Sequence, residues 1–239
     1  MIYLNITGIY CRDREKRKRM KEQKKLNKWL VLCCVVLCNQ LVVAQSIEKL
    51  YVGMPDVLNP TLSKQNTLEL IEYYKSGHGD SIANRFGKSA HLLTLDSLNG
   101  FVQVKNTPSS FFAMKLFRLN DNMPVLGVIR TVCAPVCQSV IEFYDTTWKP
   151  IPLQFTMPKA IEWVNKTKVD SADLDLRWVE SILLNSFVSL SFDSVNGTIV
   201  AKNNSVDFMS DEDRKLIAPL LDDKPIRFEL LNSVWQRKP

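Results

Sequence analysis

Residues 95–106 read LDSLNGFVQVKN, and 97 positions later residues 192–203 read FDSVNGTIVAKN. In both stretches apolar and polar side chains alternate around an Asn-Gly pair, Asn99-Gly100 and Asn196-Gly197. A period of two sends successive side chains to opposite faces of a strand. Asn-Gly accepts the backbone of a tight reversal, so each stretch predicts a β-hairpin. The likeness goes beyond turn chemistry. At the offset of 97, Leu93/Leu190, Asp96/Asp193, Ser97/Ser194, Lys105/Lys202, Asn106/Asn203 and Phe111/Phe208 are identical. Further on, DNMPV (121–125) matches DDKPI (222–226) at an offset of 101. Turns select Asn-Gly repeatedly, so that pair alone would be convergence. The Lys-Asn pair and the second Asp-x-x-Pro turn point to duplication.

Outward from the first hairpin, LSKQNTLELIEYYKSG carries Leu68, Ile71 and Tyr74 at helical spacing, with Leu70 beside them and Gly77 as a stop. The spacing predicts a helix over 64–76, started by Ser63 or Asn66. The segment before it, SIEKLYVGMPDVLNP, mixes polar and apolar residues and ends in a turn, and GHGD (77–80) reads as a flexible exit. SSFFAMKLFRL (109–119), PVLGVIRTVC (124–133) and CQSVIEFYD (137–145) continue the alternation and predict a five-stranded antiparallel meander with the first hairpin. Beyond residue 150, Ala160, Trp163 and Val164 suggest one short helix. Leu174, Leu176, Val179, Ile182 and Leu183 suggest another, capped near Asp170 or Ser171. The second hairpin follows, then a Ser-capped acidic helix start at SDEDRKLIAPLL and a closing strand at PIRFELLNSVWQ. The expected fold is α+β: antiparallel sheets with helices on one face, in two tandem related halves, 45–150 and 151–239. At fold level this is analogous to the plan of beta-lactamase-inhibitor-like proteins.

The net charge of +6 is unevenly placed. Residues 1–28 hold ten Lys/Arg against three acids, which leaves 21 basic and 22 acidic side chains in the other 211 residues. A near-neutral body lacks the electrostatic footprint of a nucleic-acid binder. The basic stretch runs instead into the uncharged WLVLCCVVLCNQLVVA (29–44) and closes on VVAQS, the three parts of a secretory signal. The expected cleavage lies between Ala44 and Gln45, giving a 1–44 signal peptide. A start at Met20 would give the compact leader MKEQKKLNKWLVL, so residues 1–19 read as a mis-assigned start. The apolar run is shorter than the ~20 residues that span a bilayer, so membrane contact is expected only if the leader stays uncleaved.

Of six cysteines, Cys133 and Cys137 lie beyond the leader, in TVCAPVCQS. In an oxidising compartment they are candidates for a disulfide across a hairpin, with unpaired strand-facing thiols as the alternative. They lack the C-x-x-C spacing of a redox dithiol. The two histidines, His78 and His91, sit in different local structures with no carboxylate at ligand spacing. Phosphate loops, zinc-protease helices and nucleophile elbows are missing from the sequence. The reading therefore leans against an enzyme, and expects no catalytic residue, cofactor or metal. Trp148, Trp163, Trp178 and Trp235, with Tyr73, Tyr74 and Tyr144, are read as filling between helices and sheet, with an exposed binding cluster as the alternative.

The runs LSKQNTLELIEYYKSG, NRFGKSAHLLTLDS, MKLFRLND and VIRTVCAPVCQSVIEFYDTTWKP resemble a family of secreted Bacteroidota proteins of unknown function. The likeness is clearest at RTVCAP and FYDTTW. It implies export and carries no catalytic residue across. Asp-Ser followed by an aliphatic residue or alanine recurs at Ser81, Ser97, Ser171 and Ser194. The motif resembles the acceptor for periplasmic O-glycosylation in Bacteroidota, although turn and cap chemistry favours Asp-Ser without any sugar. The expected function is that of a periplasmic or envelope-associated protein that binds a protein or glycan partner. A hydrolase with an unrecognised site and a structural accessory subunit of an envelope complex are the alternatives.

Overall fold

The computed structural model describes residues 46–238; the expected signal segment 1–44 and the Ala44/Gln45 junction lie outside them. Two helices open the chain, α1 (Ile47–Val52) and α2 (Lys64–Ser76). α1 sits in the stretch read only as a polar–apolar mixture ending in a turn: Ser46 caps it and Ile47, Leu50 and Tyr51 form its buried stripe. α2 has the predicted bounds. The Ser63 hydroxyl accepts from Asn66 N–H while the Asn66 side chain accepts from Ser63 N–H, and Gly77 ends the helix at φ 71°, a conformation that suits glycine.

Six strands follow, β1 (Ser81–Ala83), β2 (Ser89–Asp96), β3 (Phe101–Thr107), β4 (Ser110–Arg118), β5 (Pro124–Cys133) and β6 (Cys137–Tyr144). They pair antiparallel in chain order. The sixth strand is β1, which follows directly on GHGD and pairs with β2. After residue 150 come a 3-10 turn (Ala160–Trp163) and the helices α3 (Lys166–Ser171) and α4 (Leu176–Ile182). Here the sequence expectation fails: Asp170 and Ser171 end α3 rather than cap the next helix. Asp173 breaks the chain at φ 53°, and Asp175 caps α4 through Arg177 N–H. β7 (Val188–Phe192), β8 (Ile199–Asn203), a 3-10 turn (Ser205–Phe208), α5 (Asp211–Ile217), β9 (Ile226–Leu231) and β10 (Val234–Arg237) complete the fold. The expected single closing strand is a hairpin, reversed at Asn232 and Ser233, both at positive φ.

The fold is α+β with antiparallel sheets of six and four strands. The parity of β4 shows the layering. Phe112 and Met114 belong to a core with Tyr51, Leu70 and Val102 under α1 and α2. Ala113 and Phe117 face the opposite way and share a core with Leu190, Phe192, Ile199 and Trp235 of the four-stranded sheet. Helices thus cover one face of the large sheet and the small sheet covers the other. Described residues before and after 150 share this second core, where Trp235 meets Phe117 edge-on at 5.3 Å and stacks on Phe143 at 5.9 Å. Each such ring contributes roughly 1.5–3 kcal/mol by leaving water. Gly127 makes room for them: a Cβ there would lie 2.7 Å from the Phe117 ring and 3.1 Å from that of Phe192.

Candidate functional site

The repeated loops meet at one lysine. On β4, Lys115 points to the same side as Phe117, and it is only 4% exposed. A buried ammonium needs partners in place of water. Its Nζ donates to Asn99 O of the first loop and to Ser194 O of the second, at 2.6 Å each. Burial pushes the Lys115 pKa down, while Asp96 and Asp193 push it back up. Both carboxylates are held by their own loops. Asp96 accepts from Asn99 Nδ2 (2.7 Å) and Asn99 N–H (3.0 Å); Asp193 accepts from Asn196 N–H (2.9 Å) and Val195 N–H (3.0 Å). These bonds, from the Asn99 side chain above all in one case and the Asn196 backbone in the other, hold both carboxyls below the usual range. Asn-Gly does not form a two-residue turn. It closes a four-residue loop in which Asp96 pairs with Phe101, and Gly100 and Gly197 take positive φ of 62° and 66°. With carbonyls on two sides, the Lys115 amine is a brace of the fold rather than a group presented to substrate.

A second feature opens to solvent. α1 and α2 border a groove of about 690 Å³. Val52, Leu68 and Ile71 supply its aliphatic side, and Lys49, Lys64 and Glu72 its charges. One wall is fixed to the first loop, because Glu48 accepts from Ser97 Oγ at 2.7 Å and from Lys75 Nζ at 3.0 Å. The Ser97 bond first, and Lys75 after it, hold the Glu48 carboxyl below its ordinary value. Sequence reading missed this groove because α1 was missed. Its signal was the spacing of Ile47, Leu50 and Tyr51. Sequence reading also missed Lys115, whose signal was that it is the one charge inside the apolar run FFAMKLF.

The remaining candidates are dispersed. His78 Nδ1 lies 2.7 Å from Ser76 Oγ, and His91 Nδ1 lies 3.4 Å from Asp80, at different places in the fold. Among the described residues there is no group of three or more His, Cys, Asp or Glu placed to hold a metal. The Cys133 and Cys137 sulfurs stand 1.99 Å apart at the end of the β5–β6 hairpin, where the two residues are register partners. Ser81 begins β1 and is half-buried; Ser97 is exposed but donates to Glu48. Ser171 is exposed at the end of α3 and donates to Thr167 O at 2.7 Å, and Ser194 is half-buried above Lys115. Trp148, Trp163, Trp235 and Tyr144 are buried, whereas Trp178, Tyr73 and Tyr74 are exposed. No described helix is long and apolar enough to cross a membrane.

Fold and surface together define a class: an α+β protein of two stacked antiparallel sheets, with an amphipathic groove between its first two described helices. The chain belongs to the family described as "Protein of unknown function (DUF3256)", which it matches over residues 39–235. A solved structure, described as a domain of an uncharacterized protein from Porphyromonas gingivalis W83, shares the fold. That likeness has a TM-score of 0.67 and 20% identity, covering 82% of this chain and 99% of the other. The neighbour's source lies within Bacteroidota, the group to which the sequence resemblance pointed. No curated protein matches the sequence.

Proposed function

We propose that the protein is exported and acts without catalysis, binding an amphipathic segment of a partner protein in the α1–α2 groove at the cell envelope. The observation that carries this reading is the groove itself, aliphatic along Val52 and Leu68 and edged by Lys49 and Lys64. Such a surface suits the apolar anchors of an amphipathic helix whose flank is acidic. Three of the four tryptophans beyond the leader, which could have stacked on sugars, lie inside, so a protein segment is favoured over a glycan. The basic stretch, the apolar run and the Ala44/Gln45 junction support export.

The test is affinity capture from the native envelope with the protein and its Leu68→Asp variant. A partner recovered with the first and lost with the second supports the groove. No partner, or equal recovery with both, overturns it. Intact mass from the native host should correspond to a chain beginning at Gln45; retention of 29–44 would overturn cleavage. The same measurement reports whether Ser81, Ser97, Ser171 or Ser194 carries a sugar.

A further inference from the structure

After β6 the chain begins a further strand and does not complete it. Trp148, at φ 66°, closes a reversal in which Asp145 N–H donates to Lys149 O at 2.9 Å. Pro150 then bridges Tyr144 in the antiparallel sense, and Ile151 N–H donates to Phe143 O at 3.0 Å. Farther along, β6 is met instead by β7, whose Leu190 N–H donates to Ser139 Oγ at 2.9 Å. Residues 152–158 leave β6 there, yet they keep a period of two. Ile151, Leu153, Phe155 and Met157 are half-buried against the second core, while Pro152, Gln154 and Thr156 are exposed. Pro150, Pro152 and Pro158 keep the backbone out of helix. Phe155 meets Phe228 edge-on at 4.9 Å, which pins the stretch to the small sheet.

This strand-like stretch has no ladder. Among the described residues, no hydrogen bond of backbone or side chain involves residues 152–158. Along a strand the backbone groups of successive residues point to opposite edges. Ile151 turns its N–H to β6, so the same alternation turns those of Gln154 and Thr156 away from it. Water satisfies such groups in the free protein, and an open edge is a template for another strand. Its chemistry restricts what can pair. The prolines at 152 and 158 confine the amide donors to residues 153–157. From Thr146 to Lys159 the only charged residues are Lys149 and Lys159, both exposed. Neither forms an ion pair with a described residue; Asp145 attracts Lys149 only at longer range. Antiparallel self-pairing centred on Gln154 would set Lys149 against Lys159 of a second copy, and like charges placed opposite repel.

We propose that residues 152–157 are a docking edge, which takes an extended peptide segment of a partner protein by strand addition, with acidic residues flanking the paired stretch. Main-chain bonds to Gln154 and Thr156 supply the pairing, and alternate apolar side chains of the partner cover Leu153, Phe155 and Met157. The two lysines select the sign of the flanks. The edge packs on the core between the sheets, and the α1–α2 groove belongs to the opposite face of the large sheet, so the two surfaces act independently.

The test uses a capped eleven-residue peptide of alternating threonine and valine with aspartate at both ends, and its counterpart with lysine at both ends. Binding is followed by amide NMR and hydrogen exchange. The aspartate peptide should saturate, shift the amides of 153–157 and protect Gln154 and Thr156 from exchange. The lysine peptide should bind at least threefold more weakly at low ionic strength, in keeping with the modest strength of exposed ion pairs. Gln154→Pro removes one outward N–H and should weaken the aspartate peptide at least tenfold. Lys149→Glu combined with Lys159→Glu changes only exposed side chains, so it keeps the fold where the proline variant does not, and it should reverse the preference between the peptides. Leu68→Asp in the groove should leave both affinities unchanged. Failure of the aspartate peptide to saturate, or an unchanged preference in the double lysine variant, overturns the proposal. A concentration-dependent dimer that Gln154→Pro abolishes overturns it too, and assigns the edge to a second copy.

Discussion

In the loop at 97–100 the serine hydroxyl reaches Glu48 on α1, and the asparagine carbonyl accepts from Lys115. In the loop at 194–197 it is the serine carbonyl that accepts from Lys115. The Asp-Asn bonds and the glycine conformation are common to both. The internal chemistry of the loop is thus written locally and survives in both copies, whereas its outward attachments follow from where each copy sits. The strands around the loops differ in the same manner. β2 and β3 correspond to β7 and β8, but the place of β4 is taken in the second half by the 3-10 turn Ser205–Phe208 and α5. β8 therefore pairs directly with β9, while β3 and β5 are separated by β4. The brace between the two loops is carried by this strand, which has no counterpart in the second half.

The strongest way to break the comparison is Lys115→Met, which keeps the stem and removes the ammonium. Two carbonyls lose a charged donor, at about 1.5–3 kcal/mol per charge-assisted bond, so the loss should be about 3 kcal/mol in urea unfolding. A loss under about 1 kcal/mol would show that the loops do not depend on the brace. Gly127→Ala comes next. It drives the Phe117 ring out of the shared core and should cost about 2 kcal/mol by overpacking, read as a lower thermal midpoint.

The loops can then be compared directly. Gly100→Ala and Gly197→Ala both force alanine to positive φ, a strain of about 1–2 kcal/mol. Gly100→Ala should cost more, because its Cβ would meet Leu116 Cβ at 3.0 Å, while Gly197 meets the Phe117 ring edge at 3.3 Å. Equal midpoints would remove that distinction.

Acid gives a smaller effect. Asp96, Asp193 and Glu48 have folded pKa values below their unfolded ones. The folded state therefore binds these protons less tightly. Their stabilisation is complete above about pH 4.5 and is lost as pH falls through the lowered values. Unfolding midpoints should drop on acidification, and Asp193→Ala should flatten that drop; an unchanged slope would count against the loop carboxylates. The smallest effects separate the serines. Ser97→Ala should cost about 1 kcal/mol through the lost bond to Glu48. Ser194→Ala should be near neutral, since its contribution is a backbone carbonyl.

Much of the architecture was legible in local pattern. Alternation marked β2 to β8, the Ser63-Asn66 cap and Gly77 marked α2, and the echo of 95–106 at 192–203 marked the two halves. Elements that depend on tertiary contact were not legible. α1 has six residues and little helical stability of its own; it persists because Ile47, Leu50 and Tyr51 pack on the large sheet. The Asn232-Ser233 reversal carries no glycine, so nothing local separated β9 from β10. The sequence by itself determined the strands and the internal bonds of the repeated loops, because these rest on neighbours within a few residues. Only the tertiary structure decided that Lys115 joins the loops and that α1 and α2 leave a groove. Those arrangements bring together residues distant along the chain, and their energies appear only once the sheets have stacked.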